Sequence, residues 1–289
     1  SGELVHLHVC GHNRNSWLLA WAAGLCQHAI VTIHSGLAPS FMRSHQMLVK
    51  KGCERIKCLV AVNPEIAEAL TAAGVSPARI EVLPAFTSSS LSFRLAPPGL
   101  AQARRRHPQL LACAVVADQP EYGTDLMLDA MMRVHQIAPA AGLLLYGPGT
   151  ASPALAACVR ARGLGRVVYL LGTVARERAL ALVAAADLFV RPSRADGDAL
   201  SIREALALGR RVVASDVVAR PRGVVQFASG SPAACAEAIF HALGNRGAPC
   251  ETAAASPPDC IAALTRIYRR AGLLIAPETT GTAFAKLGG

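Results

Sequence analysis

Short apolar runs alternate with helical stretches along most of the chain, and this alternation is the feature that most restricts its fold. The segments "AIVTIH" (29–34) and "CLVAV" (58–62) are typical of buried strands. Pro64 directly after Asn63 indicates the start of a helix. Buried strands separated by helices form βαβ units on parallel sheets. The sequence therefore predicts the α/β class.

The same pattern gives the expected elements. We predict strands at 4–10, 29–34, 58–62, 79–83, 110–117, 142–146, 167–171, 188–191 and 211–214. We predict helices at 16–26, 44–51, 64–73, 125–137, 153–162, 177–186, 199–208, 232–243 and 261–271, with Ser16 as the cap of the first. The segment 87–106 is rich in Ser, Pro and Arg and predicts a linker, and the tail from Pro277 is expected to be disordered.

These elements predict two Rossmann-like βαβ domains that face each other across a cleft. We expect an N-terminal domain over 1–95 and a second domain over 96–255. A C-terminal helix within 256–275 is expected to pack back toward the first domain, followed by a tail at 276–289. The chain opens with Ser1 and enters a strand almost at once, so we expect an incomplete N-terminal domain.

Composition limits the partners. The net charge of +10 suits nucleic acid, an anionic membrane or a phosphorylated small molecule, but a solvated surface explains it equally well. No basic block is interleaved with aromatics, which disfavours nucleic acid. Nine scattered cysteines indicate a reducing compartment. With no signal peptide and no apolar run of about 18 residues, we expect a cytoplasmic protein, either free or in peripheral contact with the inner face of the membrane.

The stretch "HLHVCGHNRNSW" (6–17) places His6, His8, Cys10 and His12 at alternating positions. Side chains two residues apart in a strand point the same way, so an extended segment would gather four ligand-type groups on one face. A zinc site is one interpretation. The alternatives are packed histidines or imidazoles that line a cleft at the strand end, where His34 of the next strand could join them.

The segment 188–217, "LFVRPSRADGDALSIREALALGRRVVASDV", carries the strongest chemical signal. A strand ends at Pro192-Ser193, and Glu204 follows Asp196 by eight positions on a helix that opens near Ala199. Unpaired backbone N–H groups at Ala199, Leu200 and Ser201 would suit a phosphate or diphosphate. The two carboxylates could then accept hydrogen bonds from hydroxyls on either side of that anion.

This segment resembles the donor-binding signature of retaining GT-B glycosyltransferases of the family-4 type (glycosyl transferases group 1). The resemblance covers the Pro-Ser pair, Asp196, Gly197, Glu204, Gly209 and Ala214-Ser215-Asp216. Four other stretches also resemble the family: "CLVAVNPEIAEALTAAGVSPARIEVLPAF", the loop "LLLYGPG", the approach to the signature "YLLGTVARERALALVAAADLFVRPS" and the His-x-His strand end "HLHVCGHN".

The resemblance implies a GT-B fold and transfer of a sugar from a UDP- or GDP-sugar to a glycan or lipid-linked acceptor, with retention and without a metal or cofactor. It implies that His8 lines the cleft near the sugar, Asp196 holds sugar hydroxyls and Glu204 holds the ribose. The leaving diphosphate would act as the base. The donor-binding positions implied are Gly147, Gly149, Gly197, Asp198, Ala199, Leu200, Ser201 and Arg203.

The sequence departs from the family where the diphosphate is usually neutralised. The loop after the first strand of the second domain carries Asp118 and Glu121 where an Arg and a Lys are expected. Either Arg194 or Arg203 would have to compensate. Two alternatives therefore stay open: a nucleotide-sugar epimerase with the GT-B fold, and a non-catalytic sugar-nucleotide binder.

Overall fold

The computed structural model describes residues 4–84, 91, 99–244 and 260–272. Within these residues the chain forms two parallel sheets, as the alternation predicts. Their carboxyl edges face each other, so the α/β class and the two Rossmann-like domains across a cleft are confirmed. The predicted domain boundaries near 95 and 255, much of the predicted linker and the tail from Pro277 lie outside the described residues.

The first sheet has the order β1-β2-β3-β4 with all neighbours parallel. Its helices pack on one face, over a core that includes Trp17, Ile33 and Ile66. The C-terminal helix α11 packs on the other face, against Ile30 and Val60. The strands are β1 Leu4–Val9, β2 His28–Ile33, β3 Cys58–Ala61 and β4 Ile80–Val82, and the helices are α1 Arg14–Ala23, α2 Ala38–Ser44, α3 Gln46–Cys53, α4 Pro64–Ala72 and α11 Cys260–Arg270.

The second sheet has the order β10-β9-β8-β5-β6-β7, again all parallel. The order reverses between β5 and β8, and ligands of such sheets bind beyond the carboxyl ends of the strands at that point. The strands are β5 Gln109–Ala114, β6 Ala141–Tyr146, β7 Val168–Leu170, β8 Leu188–Arg191, β9 Arg211–Ser215 and β10 Val224–Phe227, and the helices are α5 Leu100–Arg106, α6 Thr124–Ile137, α7 Pro153–Ala161, α8 Arg176–Ala185, α9 Leu200–Ala207 and α10 Pro232–Gly244.

Most predicted elements lie within two residues of the observed ones, but two expectations are wrong and two elements were not predicted. The cap of α1 is Asn13, whose side chain accepts from the Ser16 N–H, while Ser16 is buried inside the helix. The predicted helix 44–51 corresponds to α3, whereas α2, which ends at Ser44, was not predicted. The end of the predicted linker forms α5, because Ala103 packs into the apolar core of the second domain. Strand β10 was not predicted, because its four residues alternate too briefly to give a signal.

Candidate active site

A cavity of about 250 Å³ lies between the two domains at the carboxyl ends of their strands. The first domain lines it with residues that follow β1 and β2, among them His12 and His34. The second domain lines it with residues that follow β5 and β8, among them Tyr122, Arg191 and Asp196. The two regions that the sequence singles out, after β1 and after β8, therefore lie on opposite walls of one cavity.

The two walls touch at a pair of glycines. A Cβ atom on Gly197 would lie 1.8 Å from the carbonyl oxygen of His34, and one on Gly36 would lie 2.1 Å from the carbonyl oxygen of Asp196. The Asn63 amide donates to the Gly197 carbonyl at 2.6 Å. Only glycine allows this close approach, so Gly197 has a clear role in joining the domains in addition to its predicted place in the donor site.

Three histidines cluster on the side of the first domain: His34 lines the cavity, and His6, His8 and His34 together line an adjoining pocket of about 160 Å³. The rings of His6 and His8 are 4.3 Å apart, and those of His8 and His34 are 5.1 Å apart and stacked. A hydrogen bond of 2.8 Å joins His8 Nδ1 to His34 Nε2. We call His6, His8 and His34 the histidine wall.

The expectation that Cys10 and His12 share the face of His6 and His8 is wrong. Strand β1 ends at Val9, and the chain turns at Gly11, whose φ is +81°. The Cys10 thiol instead lies 3.2 Å from the Ser16 hydroxyl, near the start of α1. Across the described ranges, no three His, Cys, Asp or Glu side chains are placed to hold a metal ion, so the zinc interpretation of this stretch has no support.

Two rings of the histidine wall, those of His6 and His34, have lowered pKa values. Burial, followed by the nearby His8 and His34, lowers the pKa of His6 from 6.5 to about 4. Burial and the neighbouring His8 also lower the pKa of His34, although Asp198 acts in the opposite direction. His6 is held by the hydroxyls of Tyr268, at 2.9 Å, and Thr32, at 2.8 Å. The rings of His6 and His34 are therefore neutral hydrogen-bonding groups near pH 7.

The opposite wall holds buried charges. Asp196 lies between two arginines, with Oδ2 3.2 Å from Arg191 Nε and 3.0 Å from Arg220 Nη1. The side chains of Arg191, Asp196 and Arg220 are 11%, 7% and 1% exposed. Arg191 also lies over the ring of Tyr122, 4.8 Å from its centroid. We call Arg191, Asp196 and Arg220 the arginine wall, and its three side chains sum to a charge of +1.

Both arginines keep Asp196 ionised. Burial alone would raise the pKa of this carboxyl group, but Arg191 and Arg220 outweigh burial and lower it. The Ser193 hydroxyl donates a further bond to Oδ2 at 3.2 Å. Oδ1 accepts a long bond from Arg191 Nη2, at 3.4 Å. Because a carboxylate oxygen can accept two bonds, Oδ1 can take a further donor from a ligand.

Glu204 lies on α9 and is 13% exposed. It accepts a bond of 2.7 Å from Arg176, which is 58% exposed. An ion pair with one partner in water contributes little to stability, so a ligand hydroxyl could displace Arg176 at small cost. Helix α9 begins after Ala199 with no side-chain cap on its first N–H groups, as an anion site requires.

The two loops flanking this site are held together by glycine contacts. Gly147 has a φ of +123°, and a Cβ there would lie 2.0 Å from the Val115 carbonyl oxygen. Gly149 has a φ of +77° and lies against Ala117. The loop after β6 therefore packs on the loop after β5, on the side of the site predicted to hold the nucleobase.

The arginines expected to replace the missing basic pair are both bound to carboxylates. Arg194 binds both oxygens of Asp125, at 2.7 and 2.8 Å. Arg203 binds Asp198 at 2.8 Å. Both of these guanidinium charges are neutralised, so the arginine wall is the better source of positive charge at the cavity.

Sequence reasoning missed Arg191, Arg220 and Asn63. Arg191 could have been found, because it ends a strand directly before the Pro192-Ser193 motif. Arg220 lies in a segment without periodicity, between β9 and β10, and gives no sequence signal. Asn63 is recognisable as a helix cap, but its bond to the other domain depends on tertiary structure.

Comparisons with known proteins give a family match and similar folds. Residues 107–245 match the family described as Glycosyl transferases group 1. None of the curated protein sequences compared with the chain matches it.

Solved structures resemble most of the chain. The crystal structure of Anabaena HepE in complex with UDP has a TM-score of 0.66 at 18% identity, over 92% of this chain and 76% of that one. Sucrose-phosphate synthase from Thermosynechococcus elongatus has a TM-score of 0.64 at 19% identity, over 93% and 71%. The crystal structure of TarM has a TM-score of 0.64 at 16% identity, over 83% and 50%. The chain therefore has the two-domain GT-B fold, and its second domain matches the glycosyl transferases group 1 family.

Proposed function

We propose that the protein transfers a sugar from a nucleotide-sugar to a glycan or lipid-linked acceptor, with retention of configuration. The observation that carries the proposal is the position of the uncapped start of α9, beside Asp196 and Glu204, at the point where the order of the second sheet reverses. His34 of the histidine wall lines the same cavity from the other domain. The matched family and the UDP bound in the structure of HepE support a nucleotide-sugar as donor.

Each group has a proposed task. The backbone N–H groups of Ala199, Leu200 and Ser201 bind the diphosphate, and Glu204 exchanges Arg176 for the ribose hydroxyls. Asp196 accepts one sugar hydroxyl at Oδ1, beside Gly197 and Asp198. Gly147 and Gly149 shape the contact with the base.

We assign to Arg191 the electrostatic task that the missing loop cations perform in the family. Its charge lies at the cavity, at the end of β8, and Asp196 neutralises only one of the two arginines of its wall. Fixed positive charge near a leaving diphosphate stabilises the transition state without the cost of reorganising water. The departing diphosphate then accepts the acceptor's proton, and His8 orients the sugar. No metal or cofactor takes part in this proposal.

The decisive experiment measures nucleoside diphosphate release from UDP-glucose and from a GDP-sugar, with and without a glycan or lipid extract as acceptor. Glu204→Gln is expected to lower turnover by about 10- to 100-fold, because charge-assisted bonds to the ribose are lost. Glu177→Gln, an exposed acid on neighbouring α8, is the matched control and is expected to retain activity.

The other candidates predict different results. An epimerase converts the donor when no acceptor is present. A non-catalytic binder is stabilised by UDP against heat but releases no product, and the acidic Asp118 and Glu121 motivate this second candidate. Equal activity of Glu204→Gln and Glu177→Gln would overturn the site assignment.

A further inference from the structure

The first turn of α4, in the first domain, contacts two separate segments of the second domain. One contact is the bond from Asn63 to the carbonyl oxygen of Gly197. In the other, Oε1 of Glu65 accepts a hydrogen bond of 3.2 Å from the backbone N–H group of Ala219. Ala219 directly precedes Arg220, and Gly197 directly follows the carboxylate that Arg220 binds. One helical turn therefore holds both segments that carry this ion pair of the arginine wall.

The position of Arg220 depends on the path of its segment. Residues 216–223 lie between β9 and β10, in neither a helix nor a strand. The guanidinium group of Arg220 donates to Asp196 at 3.0 Å and to the carbonyl oxygen of Ser215 at 2.9 Å. Because this side chain is only 1% exposed, its bonds require the Arg220 backbone to lie at a fixed place, and the contact at Ala219 supplies a support for it.

The Glu65 side chain serves this contact rather than its own helix. Asn63 already caps α4, because its Oδ1 accepts from the Ile66 N–H group at 2.8 Å. Oε2 of Glu65 is buried and has no hydrogen-bond partner among the described residues. Burying a carboxylate oxygen without a partner costs free energy, whereas a side chain turned into solvent would keep both oxygens hydrated. The bond to Ala219 explains why the buried orientation is adopted.

We propose that Glu65 is a positioning residue for the arginine wall. By holding Ala219 it fixes Arg220, and through Arg220 it fixes the carboxylate of Asp196 at the cavity. Because Asn63 holds the residue that follows this carboxylate, the wall takes its final geometry only when the two domains are in contact. The effect of Glu65 on turnover rests on the proposed function, whereas its effect on Arg220 is a property of the fold and is measured without a ligand.

This role separates two parts of the proposed donor site. Asp196, assigned to a sugar hydroxyl, depends on the contact between the domains. The start of α9 and Glu204, assigned to the diphosphate and the ribose, lie within the second domain and do not contact α4. Glu65 is therefore expected to affect binding of the transferred sugar more than binding of the nucleotide.

The first test compares Glu65→Ala with Glu68→Ala, which removes an exposed carboxylate one turn further along the same helix. The buried Nε–H group of Arg220 is expected to exchange slowly with water and to give an arginine Nε–H signal in NMR spectra that is missing from Arg220→Lys. Glu65→Ala is expected to raise the exchange rate of this group by about tenfold, because one supporting hydrogen bond is lost. Glu68→Ala is expected to leave the rate unchanged.

Hydrogen exchange followed by mass spectrometry gives a second readout that needs no assigned signal. Peptides that cover residues 216–223 are expected to exchange faster in Glu65→Ala than in Glu68→Ala. Glu65→Gln separates the bond from the charge, because its amide oxygen can still accept from the Ala219 N–H group. This variant is expected to exchange within about twofold of the wild type. Glu65→Asp has a shorter side chain and is expected to behave like Glu65→Ala.

Turnover gives the functional readout, with the donor that the wild type uses in the nucleotide-release assay. Glu65→Ala is expected to lower kcat/KM by about tenfold, whereas UDP alone is expected to stabilise the variant against heat as much as it stabilises the wild type. If the wild type releases no nucleotide, the proposed function fails, and the exchange measurements still decide the role of Glu65.

Three results would overturn the positioning role. One is equal exchange of the Arg220 Nε–H group and of residues 216–223 in Glu65→Ala and Glu68→Ala. Another is exchange as fast in Glu65→Gln as in Glu65→Ala, which would mean that the charge matters and the bond to Ala219 does not. The third is a loss of kcat/KM in Glu65→Ala without any change in exchange at Arg220.

Discussion

The histidine wall and the arginine wall show two different ways to bury polar groups near the ends of parallel strands. In the histidine wall, burial lowers the pKa of His6 to about 4 and leaves that ring neutral. The arginine wall keeps its charges, because a guanidinium cannot lose its proton in a protein. Asp196 must therefore stay ionised between Arg191 and Arg220.

We propose that this difference gives the two domains different tasks. A neutral imidazole can orient a hydroxyl group without repelling a cationic neighbour or attracting an anion. A buried pair of arginines with a single counterion attracts anions, which suits a diphosphate. On this proposal the first domain contributes neutral groups toward the sugar, and the second contributes the charge that a diphosphate requires, together with the sugar contact of Asp196.

The largest expected effect comes from removing the counterion of the arginine wall. Asp196→Ala leaves two buried arginines without this anion, and we expect the free energy of unfolding to fall by about 3–5 kcal/mol. Urea denaturation followed by circular dichroism measures the loss. Asp125→Ala removes the partner of Arg194 in an exposed pair and is expected to cost at most about 1 kcal/mol. Similar losses in the two variants would contradict the idea that burial sets the difference.

The lowered pKa of His6 predicts that the free energy of unfolding depends on pH. His6 is neutral in the folded chain down to about pH 4, whereas the unfolded chain binds a proton below about 6.5. The stability contribution is therefore complete above pH 6.5 and is lost as the pH falls from 6.5 toward 4. Because the ring is partly exposed, the free energy of unfolding is expected to fall by only about 1–2 kcal/mol over this range.

Urea midpoints at about pH 7, 6, 5 and 4 test this expectation. His6→Gln is expected to flatten the dependence, whereas His12→Gln, at an exposed position, is expected to leave it unchanged. An equal pH dependence in the wild type and His6→Gln would exclude His6 as its source.

The sequence predicts the site residues of the second domain more fully than it predicts the contacts between the two domains. Strand β8 and the acids Asp196 and Glu204 follow from local pattern, because strand, turn and helix start are encoded in consecutive residues. The bond between His8 and His34, 26 residues apart, requires the parallel register of β1 and β2. Arg220 reaches Asp196 across 24 residues, through a loop whose path no local rule predicts.

Errors in the predicted elements have the same origin. Ser16 and Asn13 are both good capping residues, and the choice between them depends on where β1 ends and how Gly11 turns. Pro39 lies in the first turn of α2, but the apolar pattern there is too short to indicate a separate helix. Tertiary packing decides between such competing local signals, and that packing cannot be read from a single sequence.

The smallest expected effect concerns Asn63, which joins the two walls. Its Oδ1 accepts from the Ile66 N–H at 2.8 Å and caps α4, while its Nδ2 donates to Gly197 across the domains. Serine caps a helix about as well as asparagine, but its hydroxyl is too short to reach Gly197. Asn63→Ser is therefore expected to cost about 1 kcal/mol, the contribution of one buried hydrogen bond.

Asn13→Ser is the matched control for this small effect, because it makes the same substitution at the cap of α1. The Asn13 side chain bonds only to nearby residues of its own domain, Cys10 and Ser16, so the change in stability is expected to be a few tenths of a kcal/mol. Thermal denaturation of the two variants gives the comparison. An equal loss would mean that the Asn63 amide contributes only to the cap and not to the contact between the domains.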